Sequence, residues 1–294
     1  MGARGGAQVP VRGPLVFSDL DGTFLLTDKT VPARNLRALD ALLEAGGAFV
    51  PCTGRFVRTI PAELLDHPAT RFVAHTNGAS VCEVVRDASS GRGRVGETLR
   101  VVRLDPDRVR AVAHALAGRD VLLDVFTDEG VMTSERDYDR LGEFVAEPNT
   151  LRLVRETRTP VDMPFDRIVG RWASHIERLT VFWRDAGDDE AVRRAVARVA
   201  NLSCVSSMPC NFEISDSRAT KGAALEWVCG TLGVDVRRSV AFGDSANDAP
   251  MLRAAGDGVA MANATPEALA AADHVTSAND ECGVARYLEA LLGR

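Results

Sequence analysis

The residues best suited to chemistry fall in four short clusters. They are Asp19 and Asp21 in Asp19-Leu20-Asp21-Gly22-Thr23, Thr53 in Thr53-Gly54-Arg55, Lys221, and the run Gly243-Asp244-Ser245-Ala246-Asn247-Asp248. On extended backbone, side chains two apart share a side, so Asp19 and Asp21 would face one small pocket while Leu20 turns away. Two such carboxylates repel unless a cation or a shared proton relieves them. All-oxygen donors suit a hard divalent cation, and magnesium keeps part of its shell for water and substrate phosphate. Asp244 and Asp248 would add oxygen ligands, or the hydrogen bonds that orient those ligands. Thr53 offers a hydroxyl and backbone N–H groups after a strand, and Lys221 offers a point charge; together they make an anion cradle. Positioning and charge compensation of this kind dominate phosphoryl transfer.

Each cluster has an ordinary structural explanation when taken alone. Asp21-Gly22 is a common turn dipeptide. Thr53 could cap a helix, and so could Asn247 or Asp248 ahead of Met251 and Leu252. A lone lysine is usually solvated. What coincidence does not supply is all four in this order, each at or just after the end of a predicted strand.

Those strands are what must position the clusters. Residues 14–18 form a short apolar run that feeds the first acidic turn. Pro32 opens a helical pattern with Leu36, Leu39, Leu42 and Leu43 on one side, and Gly46-Gly47 stops it. Strands are predicted at Ala48–Val50 and Arg71–Ala74, with a short helix between. The far end repeats the rhythm: a helix from Lys221-Gly222 to Leu232, strands at 239–242, 258–261 and 274–276, and helices near 250–255, 266–271 and 283–292. Alternation of this kind reads as a parallel sheet flanked by helices, whose ligands bind beyond the carboxyl ends of the strands. The middle differs, with helices near 106–117 and 188–200, β-like pieces at 121–126 and 179–183, and a hairpin over 201–215. This is α+β patterning inserted between two α/β halves. The expected division is 1–85 and 217–294 for the core and 86–216 for the insertion.

The chain has 294 residues, 46% of them apolar, and a formal charge of −6. With no long basic run, nucleic acid and anionic membrane gain no electrostatic support as partners. No stretch approaches a membrane span. The six cysteines (Cys52, Cys82, Cys204, Cys210, Cys229, Cys282) form no C-x-x-C pair and read as free thiols of a cytoplasmic protein. Residues 1–13 lack the apolar segment of a signal peptide. The histidines and tryptophans form no recognisable constellation.

With these motifs assembled, the chain resembles the haloacid dehalogenase superfamily. The four signature motifs appear in order as Asp19-Leu20-Asp21-Gly22-Thr23, Thr53, Lys221 and Gly243 to Asp248. Thr53-Gly54-Arg55, Thr76-Asn77-Gly78-Ala79, Ala219-Thr220-Lys221-Gly222 and Asp248-Ala249-Pro250-Met251-Leu252 resemble its Cof-type branch, as does the stretch from Ala262 to Asp273. The likeness spans most of 14–292 and is weakest over 86–200. Asp19 and Thr53 lie 34 residues apart and Thr53 and Lys221 168 apart, so a cap domain fits only between the second and third motifs. Asp21, the second acid, argues against a dehalogenase. Phe24 and Cys52 depart from the family's frequent Leu and Ala.

The resemblance implies a Rossmann-like α/β core with an α+β cap and a magnesium-dependent phosphatase acting on sugar phosphates or similar metabolites. Asp19 would be the nucleophile and Asp21 the general acid and base. Leu20, Thr53, Gly54, Lys221 and Asn247 would hold the phosphoryl group. Asp19, Asp21 (through its backbone carbonyl) and Asp244 would bind Mg2+, with Asp248 in support. Arg55 and Asn77 would lie in substrate-facing loops. Within the cap, 127–134 and the pair Arg171-Trp172 are candidates for reading the substrate. The expected assembly is a monomer or homodimer. A phosphomutase shares the nucleophile and is the alternative; a non-catalytic binder would not need all five of Asp19, Asp21, Thr53, Lys221 and Asp244.

Overall fold

The computed structural model describes residues 10–185, 187–206 and 210–294. From the N-terminal side run β1 (Leu15–Ser18), α1 (Ala33–Glu44), β2 (Ala48–Pro51), α2 (Ala62–Asp66), β3 (Phe72–His75), β4 (Ser80–Arg86) and β5 (Gly93–Val101). Then come α3 (Pro106–Ala115), β6 (Val121–Thr127), β7 (Val131–Ser134), α4 (Glu135–Phe144), α5 (Pro148–Thr157), β8 (Arg158–Val161), α6 (Phe165–Arg171), β9 (Ile176–Trp183), α7 (Asp188–Ala197), β10 (Leu202–Val205) and β11 (Asn211–Asp216). The chain closes with α8 (Lys221–Leu232), β12 (Ser239–Gly243), α9 (Ala249–Ala254), β13 (Asp257–Ala260), α10 (Pro266–Leu269), β14 (His274–Val275) and α11 (Gly283–Leu291).

The core sheet is parallel, in the order β14-β13-β12-β1-β2. Its central strands are buried on both faces, which is why they read as unbroken apolar runs. Alternate residues go to opposite sides. Leu15, Phe17, Val50 and Ala241 pack in one cluster under α8 and α9, and Val16, Phe49, Val240 and Phe242 in another under α1 and α11. The chain leaves β1 for β2 on one side and returns through β12 on the other. The crevice at the carboxyl end of β1 is therefore the point where the sheet's winding reverses, the usual ligand position in such sheets.

The third predicted strand departs from a simple parallel ladder. β3 meets β2 only through the parallel bridges Phe49–Thr70 and Cys52–Ala74, and otherwise pairs antiparallel with β4, which pairs with β5. The β4–β5 hairpin thus continues from the core side, and residues 93–101 do not join the second large sheet. Leu43 is another departure: it is 38% exposed, because α1 buries the stripe of Ala38, Leu39, Ala41 and Leu42.

The second large sheet has the order β10-β11-β9-β6-β7-β8. The predicted 201–215 hairpin is β10 and β11, paired antiparallel, with residues 207–209 of its turn outside the described residues. One face packs Val125, Leu179, Val181, Phe212 and Ile214 against α3, α6 and α7. The other packs Leu122 and Phe182 against α4 and α5, and at its free end Phe126 meets Phe56 of the core. Helices α4 to α6 were not foreseen in the sequence; α4 and α5 are amphipathic but each buries few apolar residues. Among the described residues no helix is long and apolar enough to cross a membrane, and all six cysteines are free.

Where the two parts meet, His75 is 3% exposed and its ring bonds Thr76 Oγ1 at 3.0 Å. Burial, aided by the Arg178 charge, lowers its pKa from about 6.5 to about 4. The fold therefore resists the proton that the unfolded chain accepts. Stability from this group is full above about pH 6.5 and falls as pH drops towards 4, by up to about 3 kcal/mol. The His75→Gln variant should lose that part of the pH dependence, read as the difference in urea-unfolding free energy between pH 7 and pH 4.

Candidate active site

The centre of the crevice is Lys221. Thr220 caps α8 by accepting the Ala223 N–H at 3.1 Å, which sets Lys221 at the first helical position. Its side chain is wholly buried, with Nζ 2.8 Å from Asp19 Oδ1 and 2.6 Å from Asp248 Oδ1. Burial opposes its charge, but the two carboxylates win and hold the ammonium well above its ordinary pKa.

Asp19 leaves β1 in extended conformation, its N–H donating to Phe242 O at 3.0 Å. Burial raises its pKa well above the carboxylate range; Lys221 pulls it down, and Asp248 and Asp244 push it up again. Burial and Asp248 likewise raise Asp244, whose oxygens accept from Thr23 Oγ1 at 2.7 Å and Ser245 Oγ at 3.0 Å. Asp248 differs. Its Oδ1 takes Lys221 and its Oδ2 takes the N–H groups of Asp244 and Ser245, both at 3.0 Å. It is an anchor for the turn as much as a free ligand.

Carboxylate oxygens of Asp19, Asp244 and Asp248 all lie within 4.8 Å of one another. Three carboxylates share one ammonium, an excess of negative charge on oxygen donors alone. That donor set fits a hard cation such as Mg2+. Gly22 is required here twice over: its φ is +78°, and a Cβ would stand 2.5 Å from Asp244 Oδ2.

The Asp21 carboxylate is not part of this acidic group. Arg55 clamps it from two sides, Nε to Oδ2 at 2.7 Å and Nη2 to Oδ1 at 2.8 Å, and Lys29 adds a contact at 2.9 Å. Burial would raise its pKa, but these partners bring it down to about 2. Leu20 is wholly buried in the core cluster of Val16 and Phe24, so only its backbone can serve the site. Thr53 is buried, its Oγ1 accepting the Arg55 N–H at 3.1 Å. Cys52 lies beside Lys221, and burial pushes its thiol up to about 12, so it stays protonated and is no rival nucleophile.

A cavity of about 230 Å³ opens onto Asp19, Asp21 and Thr53, while Lys221, Asp244 and Asp248 lie beneath its lining. Asp19, Asp21, Lys29, Thr53, Gly54, Arg55, Ser245 and Asn247 line its core side. The opposite wall comes from the second sheet and α5: Phe126, Thr150, Arg158, Arg178, Asn211 and Glu213. Arg158 bonds the buried Asp124 at 2.7 Å, and Arg178 lies over the Phe126 ring, 3.6 Å from its centroid. Residues 127–134 and Arg171-Trp172 do not line the cavity. Thr127 closes its own turn onto Gly130, and Trp172 is buried, bonding Glu129 through Nε1. Asn77 also stands behind the wall, bordering a separate void of about 40 Å³. Sequence reasoning missed Arg178 and Glu213, though each left a signal: Glu213 is a charge between Phe212 and Ile214, and Arg178 follows Glu177 at the start of an otherwise largely apolar strand, IERLTVFW.

Residues 16–288 match the family of haloacid dehalogenase-like hydrolases. The chain belongs to that family, in its Cof-type branch. This hydrolase is 27% identical over 290 residues to the 5-amino-6-(5-phospho-D-ribitylamino)uracil phosphatase YwtE of Bacillus subtilis, covering 93% of this chain and 96% of that one. It is 26% identical to an HMP-PP phosphatase of Klebsiella pneumoniae, covering 90% of each. A solved haloacid dehalogenase-like hydrolase from B. subtilis superposes with a TM-score of 0.77 at 28% identity, covering 95% of this chain and 99% of that one. A subclass IIB sugar phosphatase shares the fold, with a TM-score of 0.76 at 20% identity over 95% and 98% of the two chains. Matched to phosphatases over nearly its whole length, this hydrolase is a phosphatase.

The Arg55 clamp gives a signed prediction. In Arg55→Met, burial of Asp21 is opposed by Lys29 alone, so its pKa rises. If Asp21 protonates the leaving oxygen, the alkaline limb of the kcat/KM profile should move to higher pH; an unmoved limb would contradict the role of the clamp.

Proposed function

We propose that the protein hydrolyses small phosphorylated metabolites through an aspartyl-phosphate on Asp19. The observation that carries this reading is the placement of Asp19. It is a buried carboxylate fixed 2.8 Å from an ammonium, at the winding reversal of the sheet, opening onto a cavity whose far wall is another domain. Relatives named for 5-amino-6-(5-phospho-D-ribitylamino)uracil and for HMP-PP support the substrate class. In this reading the six-stranded sheet and its helices form a cap that excludes water and selects the leaving group.

An Asp19 oxygen attacks phosphorus as the bond from phosphorus to the leaving oxygen breaks, and Asp21 gives that oxygen its proton. Water then attacks the phosphorus, Asp21 takes its proton, and the bond from phosphorus to Asp19 breaks to release inorganic phosphate. The Arg55 clamp keeps Asp21 ionised, which suits the second half. The first half needs Asp21 protonated, so the entering leaving group has to displace the clamp. Thr53, Lys221 and the backbone at Leu20 and Gly54 hold the phosphoryl oxygens, with Asn247 beside them. Asp19, the Asp21 carbonyl and Asp244 would hold Mg2+, with Asp248 fixing the turn that carries Asp244. The cation, when bound, supplies compensation for charge on the phosphoryl oxygens.

Asp19→Asn should lower kcat by about 10³-fold or more, measured as inorganic phosphate release with magnesium present, while the fold persists by circular dichroism. Near-wild-type turnover would refute the covalent route. Because a mutase returns the phosphoryl group to its substrate, stoichiometric phosphate release also separates the two reactions.

A further inference from the structure

Four polar side chains join the second sheet to three loops of the active site. Arg178 Nη1 on β9 donates to Gly54 O at 2.8 Å and lies 3.0 Å from Glu213 Oε2 on β11. The same Glu213 oxygen accepts from Asn77 Nδ2 at 2.5 Å. Asn77 Oδ1 in turn accepts from Asn247 Nδ2 at 3.1 Å. The backbone ties the same points together, with Asn77 N–H donating to Thr53 O at 3.0 Å and Thr76 N–H to Arg55 O at 3.1 Å. Arg178, Glu213 and Asn77 are all less than one-tenth exposed, so water is a poor substitute for any missing partner.

The turn holding Asn77 is conformationally costly. Thr76, Asn77 and Gly78 have successive φ values of +51°, +56° and +83°, a backbone region that a β-branched threonine rarely enters. Strain of this kind persists only where the surroundings enforce it, and it accumulates at functional sites. The packing leaves little slack: a Cβ on Gly54 would stand 2.8 Å from Asn77 Oδ1.

We propose that Asn77 is a positioning residue: its amide bridges Glu213 of the second sheet to Asn247 and fixes the Thr53–Arg55 loop, so the phosphoryl end of the site is aligned only while that sheet is seated. Asn77 does not border the reaction cavity, so it acts through the loops it holds. The inference rests on the hydrolase reading for its kinetic consequence but not for its structural one.

Asn77→Gly tests it cleanly, because glycine accepts the left-handed backbone while deleting the amide. The expected result is a fall in kcat of tenfold or more with KM changed less than threefold, and faster amide hydrogen exchange in peptides covering 52–56 and 244–248. Asn77→Asp should be worse than Asn77→Gly, since it sets a carboxylate against Glu213. Combining Asn77→Gly with Glu213→Gln should cost little beyond the larger single loss, because both cut one chain of bonds. A kcat for Asn77→Gly within twofold of wild type, unchanged exchange in both peptides, or fully additive losses would each overturn the proposal. A wild-type protein without phosphatase activity would instead refute the hydrolase reading, and the exchange measurement would still decide the role of Asn77.

Discussion

A lysine ammonium with no exposure to solvent is held between two carboxylates, and the rest of the site is arranged around that fact. Taking an ammonium out of water costs several kcal/mol or more unless opposite charges and hydrogen bonds replace the solvent. Asp19 and Asp248 do so at 2.8 and 2.6 Å. With Asp244 close by, however, the group carries more negative than positive charge; burial raises the pKa values of Asp19 and Asp244, and Asp248 pushes both further up. A divalent cation removes that excess without altering the lysine. In the proposed reaction that cation and an anionic substrate would enter the site together.

The fold supplies the convergence. Asp19, Thr53 and Asp244 follow β1, β2 and β12, which are adjacent in the parallel sheet although far apart in sequence. Lys221 arrives from the capped start of α8. The second sheet contributes no acid to the cluster, yet its Arg178 and Glu213 touch the loops after β2 and β3. One wall of the cavity therefore also braces the floor of the other.

Much of this was legible in the residues, and the exceptions have physical causes. Strands buried on both faces announce themselves as short apolar runs, so β1, β2 and β12 and the clusters at their ends were predictable. The antiparallel turn of β3 was not, because an apolar run does not say which neighbour it pairs with. The insertion was harder. Helices α4 and α5 are amphipathic but short, each burying only one or two apolar residues, so their sequence reads easily as polar surface. The cavity wall depends on cross-strand pairing, such as Phe126 with Arg178 and Thr180 with Glu213, which sequence spacing within one strand does not reveal. Asp21 shows a subtler limit. Its spacing from Asp19 indicated a shared pocket, which is present, but not that Arg55 would draw its carboxylate away from the acidic group.

The central claim is that the acidic group around Lys221 takes up a divalent cation, and thermal unfolding tests it most directly, without any substrate. A ligand bound only by the folded state raises the melting temperature with its concentration. Millimolar magnesium should raise the Tm of the wild-type protein in a saturable way and leave Asp244→Asn unmoved. An equal rise in both proteins, or none in the wild type, would contradict the account.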